Sequence, residues 1–570
     1  MTRIRALLPA ALTLLALAAP AADAASGPGV VTYRLSARTT IASVDVFAPS
    51  LGVALPDESV VLTGTDRGAG VTLVKLRADG TLVPTFGARG ISHLTVPYDS
   101  QRIGAFPEQV LRRPDGRLLL AYDGPAASKY EQPHLIVAGL TANGRLDTSF
   151  GSGGFADAGV QQGCGGGCAP AALLSDGALL LTGAVGETSP AIEQDPNAPS
   201  HYRWVVAQLT PAGALDPAFG TAGLATLGTG DAHGTSLSVS PDGSIAALGY
   251  AGTRQLLARI TASGAPVSSF NGGAPLQVTG SMWSPTVRAR DGGGVDILLS
   301  AQGAARLRRY GPSGQVDPAF RAGGDLVLEV GSMTGPTALT AMPDGATVVS
   351  AAENIEPLAG AYVLRLSRVS ANGHIVLSRR VTLPFGGGLA SVFARLRPVT
   401  LTPLAQSGFR EGTPIARPDG TLLVPGGIGV IQYTGEGEGF MHEEGAAAVL
   451  SSGFALDPSF GGPRTPASIA IRVPAQRAAI DTSTNVLRIA VDATTSSPGL
   501  AILEARAGKR VIAHSTAPVL RAGHQRLRAL LTWSGRPYLR RAHGVHVTVT
   551  AQFRDLVGEQ ASATARGTLR

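Results

Sequence analysis

The sequence predicts an all-β protein, a β-propeller of about seven four-stranded blades followed by a small immunoglobulin-like β-sandwich. Three observations predict it: a composition rich in turn formers, two turn signals that alternate seven times, and a shift of charge after residue 462. Of 570 residues, 44% are hydrophobic and only 15% charged, enough apolar surface for a packed core, while 74 Gly and 39 Pro favour frequent turns over long helices. The chain is too long for one ordinary core, so a repeat array with a smaller appended unit is expected.

The first turn signal is a PDG-like tripeptide ahead of a short apolar strand: Pro56-Asp57-Glu58, Pro114-Asp115-Gly116, Ser175-Asp176-Gly177, Pro241-Asp242-Gly243, Arg290-Asp291-Gly292, Pro343-Asp344-Gly345 and Pro418-Asp419-Gly420. The second pairs a small or polar residue with Gly: Asp79-Gly80, Asn143-Gly144, Ala212-Gly213, Ser263-Gly264, Ser313-Gly314, Asn372-Gly373 and Ser452-Gly453. Five of these run into copies of one phrase, TLVPTFGARG from Thr81, RLDTSFGSGG from Arg145, ALDPAFGTAG from Ala214, QVDPAFRAGG from Gln315 and ALDPSFGG from Ala455. The fourth copy decays to APVSSFNGG from Ala265, and the sixth unit has lost the phrase.

Each unit reads as an antiparallel meander. In the third, Ala171 to Leu174 is a strand, Asp176-Gly177 a tight hairpin and Ala178 to Thr182 the return. Trp204 to Leu209 makes a third strand, Ala212-Gly213 turns the chain, and Leu215 begins a fourth that ends near Gly220 to Gly223. One such sheet leaves an apolar face in water, so copies must stack. PDG marks about 50 to 75 residues apart suit a four-stranded blade with one variable loop. Seven blades follow, with six or eight open because a strand within Val30 to Thr39 could close the ring; a linear β-solenoid, whose rungs are usually shorter, is the main alternative.

The pattern PDGxLLLxG followed by xLxxxGxLDxxFGxxG resembles the delta-60 repeat family of bacterial secreted proteins, most clearly where Asp115 to Gly124 joins Leu140 to Gly154. The resemblance covers roughly residues 50 to 462. It implies a propeller-like fold and an extracellular or surface location, and no particular reaction.

Residues 1–24 read as a signal peptide: Arg3 and Arg5 precede an apolar run from Ala6 to Ala19, then Pro20 and the small-residue pattern Ala22-Asp23-Ala24. Residues 25–462 form the repeat domain and 465–570 a separate one. That tail holds 15 Lys and Arg against 5 Asp and Glu, a net of +10, which leaves −3 for the rest of a chain whose total is +7. Its segments Val486 to Asp492, Arg526 to Thr532 and Val547 to Phe553 alternate like half-exposed strands. The concentrated charge suggests attraction to anionic cell-envelope polymers, although Arg-rich usage, with Lys only at 75, 129 and 509, is also what base composition produces. No segment reads as a transmembrane anchor, and the chain lacks the aromatic and basic groove pattern of nucleic-acid binders.

Residue by residue, the repeat motifs serve architecture. Asp147, Asp216, Asp317 and Asp457 recur at one turn, where a carboxylate accepts from backbone N–H groups two or three residues on. Phe86, Phe150, Phe219, Phe270, Phe320 and Phe460 read as packing between blades. No P-loop, GxSxG elbow or HExxH helix occurs. Cys164 and Cys168, separated by three glycines, read as a small-loop disulfide in an oxidising compartment. The irregular insertions are where function is sought: Val185 to Arg203, with Glu187, Glu193, Asp195 and His201, and TGEGEGFMHEEG, with Glu436, Glu438, His442, Glu443 and Glu444. Glu436, Glu438, His442 and Glu443 are the candidate metal ligands, of the oxygen-rich kind that suits calcium; a solvated acidic loop is the plainer reading. No cofactor is otherwise expected.

The reading that results is a secreted, non-catalytic repeat scaffold presenting a ligand- or protein-binding face. Its alternative is an extracellular propeller enzyme acting on carbohydrate or another small molecule through loop residues. An enzyme requires carboxylate or His side chains that converge at one end of the ring.

Overall fold

The computed structural model describes residues 26–27, 30–33, 51–66, 70–97, 106–124, 133–163, 169–186, 201–278, 286–301, 304–329, 338–356, 361–381, 405–433, 439–461, 466–476, 479–481, 486–497, 499–519, 522–530, 544–555 and 560–569. The chain is all-β, built of many antiparallel sheets, and its arrangement is propeller-like. The signal-peptide segment and the Cys164–Cys168 pair lie outside the described residues.

Each repeat folds as a meander. The second consists of Pro107–Arg112, Leu118–Asp123, His134–Leu140 and Phe155–Gln161. The fourth consists of Ala232–Val239, Ile245–Ala251, Arg254–Ile260 and Leu276–Val278. Middle strands such as Leu118–Asp123 and Leu179–Val185 are buried almost throughout, which explains apolar runs rather than clean alternation. The last repeat differs: its third strand, Gly439–Leu450, pairs with Val30–Tyr33 from the start of the chain, where other repeats place their own fourth strand.

The PDG and small-Gly turns do the local work expected of them. The carboxylates of Asp115, Asp176, Asp242, Asp344 and Asp419 each accept from the backbone N–H two residues on, at 2.9–3.1 Å. Gly116 takes φ +83°, in the left-handed region that costs glycine little. Asp216, Asp317 and Asp457 repeat the device at 2.9–3.0 Å in the LDxxFG phrase.

The phrase itself is not the start of the fourth strand, contrary to the reading of Leu215 to Gly223. Leu215 makes a single bridge to Leu209, the chain then winds through turns that sink Phe219 into the core, and the fourth strand is Leu224–Gly228. The phrase is a plug between strands three and four.

That plug joins neighbours. Phe150 approaches Gly213 of the next repeat so closely that a Cβ there would lie 2.9 Å from its Cζ; at Gly144 the same construction falls 2.5 Å from Cζ of Phe86. Beside each ring, a backbone N–H donates to the next turn: Gly87 to Asn143 O at 2.8 Å, Gly151 to Ala212 O at 2.7 Å, Gly220 to Ser263 O at 2.9 Å and Asn271 to Ser313 O at 3.1 Å. Gly461 of the last repeat donates to Asp79 O of the first at 2.8 Å. Phe460, Leu423 and Val449 there share a core with Val60, Leu62 and Leu76 of the first. In the fifth repeat Arg309 is clamped by the fully buried Asp296, Nε to Oδ1 at 2.6 Å, lies 4.3 Å above the Phe320 ring, and donates across to Ala371 O.

The tail forms two four-stranded antiparallel sheets. One joins Ile469–Arg472, Ala479–Asp481, Val486–Thr495 and Gly523–Leu530; the other runs Arg510–Val519, Gly499–Ala507, Val545–Asp555, Gln560–Leu569. Ile489, Val491, Ala501, Leu503, Val549 and Phe553 share their core. Leu500 faces the other way and packs among Leu364, Val381 and Leu450 of the repeats.

Two outcomes are expected. Replacing Phe219 by Ala opens a cavity under the phrase and lowers unfolding free energy by about 3–5 kcal/mol, measured by urea denaturation. In a carboxyl NMR titration Asp242 ionises at about 2, because hydrogen bonds from Ser240 and Ser244 favour its charged form. Its contribution to stability is therefore present above the ordinary 3.8 and is lost as pH falls toward that lower value.

Candidate functional site

PDG and small-Gly turns occupy one end of every meander, so the starts of first and third strands and the ends of second and fourth strands gather at the other. At that end of the second meander lies a buried carboxylate pair that the repeat pattern does not explain.

Glu108 sits at the start of the first strand, Pro107–Arg112. Pro107 pairs with Tyr122 and Gln109 with Ala121, so Glu108 is the extra residue of a β-bulge, a distortion that re-aims a side chain. Its carboxyl is buried and accepts from Gln162 Nε2 at 2.6 Å. Asp123, also buried, ends the second strand, with its N–H donating to Phe106 O at 2.9 Å. Burial pushes Glu108 well above the ordinary carboxyl value of 4.5, and the negative charge of Asp123 pushes it further. Glu108 so placed holds its proton to higher pH than an exposed carboxyl would.

The same end of the second meander carries further polar groups. His134 opens the third strand with Nδ1 3.0 Å from Asp157 Oδ2, while Gly159 N–H donates to Asp157 Oδ1 at 2.7 Å. Those contacts hold the Asp157 carboxyl below its usual range despite burial. Burial raises the Tyr122 phenol, with the Asp157 charge adding to it, and its hydroxyl finds no hydrogen-bond partner among the described residues.

A second group stands at the same end of the third and fourth meanders. His233 lies between Tyr202, 4.8 Å centroid to centroid, and Tyr250, 5.1 Å and nearly parallel, with Nε2 3.3 Å from Asp231 Oδ1. Burial lowers its pKa and outweighs the Asp231 contact, so the ring is neutral at physiological pH. Trp204 Nε1 donates to Thr182 Oγ1 at 3.0 Å, and Gly234 lets the indole approach: a Cβ there would meet Trp204 Nε1 at 2.5 Å.

The residues singled out in the sequence are not these. Glu436 and Glu438 lie outside the described residues, as do Glu187, Glu193 and Asp195. His442 and Glu443 belong to Gly439–Leu450, opposite Val430 and Gly429, and so stand in a regular strand rather than an insertion loop. Among the described residues no cluster of three metal-ligating side chains occurs. Glu108 was legible only as a charge beside a strand, PEQVLR, and its partner Gln162 is 54 residues away.

No family model matches the chain, and no curated protein does. Among solved structures it is similar to puromycin hydrolase at 14% identity, covering 80% of this chain and 61% of that one with a TM-score of 0.37. It is similar to prolyl oligopeptidase B from Galerina marginata at 10% identity, 79% and 55% coverage and TM-score 0.37, and to NanB sialidase from Streptococcus pneumoniae at 8%, 73% and 70%, and 0.32. The chain thus spans about three fifths of the length of puromycin hydrolase. These neighbours are named as enzymes, against the expectation of a non-catalytic scaffold, which is withdrawn. At such identities and TM-scores the likeness says nothing of this chain's activity. Among the described residues no helix is long and apolar enough to cross a membrane.

Glu108→Gln keeps an acceptor for Gln162 and removes the titrating group. The folded protein holds a proton that the unfolded chain releases above 4.5, so wild-type stability falls as pH rises from that value through the raised one. Urea denaturation from pH 4.5 to 8 is expected to show a shallower pH slope in the variant.

Proposed function

We propose that this chain is an extracellular enzyme, a closed seven-bladed propeller of the delta-60 repeat kind carrying an immunoglobulin-like tail, and that it hydrolyses a carbohydrate or another small molecule with acid–base chemistry at Glu108 and Asp123. The observation that carries the reading is the buried pair itself. A carboxyl whose burial favours its protonated form is fit to protonate a leaving oxygen, and a second carboxyl beside it is fit, when ionised, to activate water or stabilise developing positive charge. Burial of such a pair destabilises the fold, and nothing in the repeat requires it. The same bulge recurs in the first strand of the fourth meander, where Thr235 is the extra residue between Gly234 and Ser236, so what departs from the repeat at Glu108 is the carboxyl and not the bulge. Seven blades are supported by seven meanders, by the Gly461 to Asp79 contact and by Val30–Tyr33 in the last sheet.

The test is hydrolysis of a panel of chromogenic glycosides and esters by the purified chain. Glu108→Gln and Asp123→Asn are expected to lower kcat by about 10²–10⁴-fold with the fold intact by circular dichroism. The wild-type rate should fall as pH rises through the ionisation of Glu108. Activity that survives both substitutions would sink the assignment.

A further inference from the structure

The tail carries a second site, independent of the acid–base pair. On the sheet Arg510–Val519, Gly499–Ala507, Val545–Asp555, Gln560–Leu569, the register sets Leu500 opposite Arg554 and Arg554 opposite Gln560; two residues along, Ile502 faces Gln552 and Gln552 faces Ser562. Alternation turns Ala501 and Phe553 into the sandwich core and leaves those six side chains on the outer face. Together with Phe553 and Ala561 they line a cavity of about 400 Å³. Leu500, one of the lining residues, is buried and belongs to the same core cluster as Leu364, Val381 and Leu450 of the repeats.

The chemistry of the lining is selective. Arg554 is half-buried, and burial lowers its pKa, a cost that the neighbouring Asp555 only partly offsets. No hydrogen bond or ion pair engages its guanidinium among the described residues. The nearest acid along the same face, Glu504, is taken by Arg506 at 2.6 Å. A desolvated guanidinium offers a planar fork that matches a carboxylate, the amides of Gln552 and Gln560 and the hydroxyl of Ser562 match alcohols, and Leu500 and Ile502 match C–H faces. The surrounding tail, net +10, draws polyanions toward it.

We propose that this cleft binds a carboxylate-bearing sugar, a uronic-acid unit of an acidic polysaccharide, with Arg554 holding the carboxylate. The site gives the basic tail a defined ligand, beyond diffuse charge attraction.

Isothermal titration of the full mature chain with oligogalacturonate, and with a neutral galacto-oligosaccharide of equal length, tests it. Expected are binding of the acidic oligomer alone, and weakening of at least about tenfold, or 1.4 kcal/mol, in Arg554→Met. Arg554→Lys should recover only part of the affinity. Ser562→Trp, which fills the cleft and leaves Arg554 in place, should abolish binding, with thermal unfolding reporting that each variant is folded. Equal binding of the neutral oligomer, full affinity in folded Arg554→Met or Ser562→Trp, or no binding of the acidic oligomer by the wild-type chain would each overturn the proposal.

Discussion

Every meander in this protein is apolar on two faces and can bury them only against its neighbours, so the contact between successive repeats governs the whole. That contact has a fixed form, a phenylalanine dropped from the LDxxFG phrase onto the small-Gly turn of the following repeat and, beside it, a backbone N–H donated to that turn's carbonyl. The ring supplies dispersion and buried area; the hydrogen bond supplies direction. Glycine at the receiving turn is required twice over. Gly144 and Gly213 take positive φ, and any side chain there would occupy the space of the incoming ring. A substitution at either side of the contact therefore disturbs two repeats at once.

Because the same contact recurs from the last repeat to the first, through Gly461 and Asp79, the array has no free apolar end. The pairing of Val30–Tyr33 with Gly439–Leu450 reinforces this closure by stitching the start of the chain into its final sheet. In one repeat further chemistry is added to this contact. In the fifth repeat Arg309, fixed by Asp296, covers Phe320 and reaches into the next repeat by a side-chain hydrogen bond, while the following unit has no phrase at all. A buried ion pair is costly to assemble, but removing one partner leaves an uncompensated charge, so this joint is specific without being the strongest.

What was legible in the sequence follows the same division. The turns, the asparate-to-backbone hydrogen bonds and the packing role of the phenylalanines depend on contacts within a few residues or on a period, and periodic signals survive in one dimension. The fourth strand was misplaced onto Leu215 because a phrase rich in Leu, Phe and Gly has strand-like composition, whereas burial of Phe219 pulls it into a turn. The carboxylate pair was invisible for another reason. Glu108 meets Gln162 across 54 residues, and its bulge is a departure in register that no local pattern announces.

The two ends of the meanders thus carry different burdens. At the turn end, Asp and Gly satisfy the backbone and lock neighbours together, and the same residues recur from repeat to repeat. At the other end the residues differ from one repeat to the next: a carboxylate pair in the second, a His ring between two tyrosines in the fourth, an indole bonded to Thr182 in the third. Desolvating Glu108 and Asp123 raises the energy of the folded state, and a marginally stable isolated sheet could not hold them. A stack of repeats joined in large part at the turn end can, because those stabilising contacts and the strained ones do not compete for the same residues. Separation of that kind lets one end be copied for stability while the other varies for chemistry.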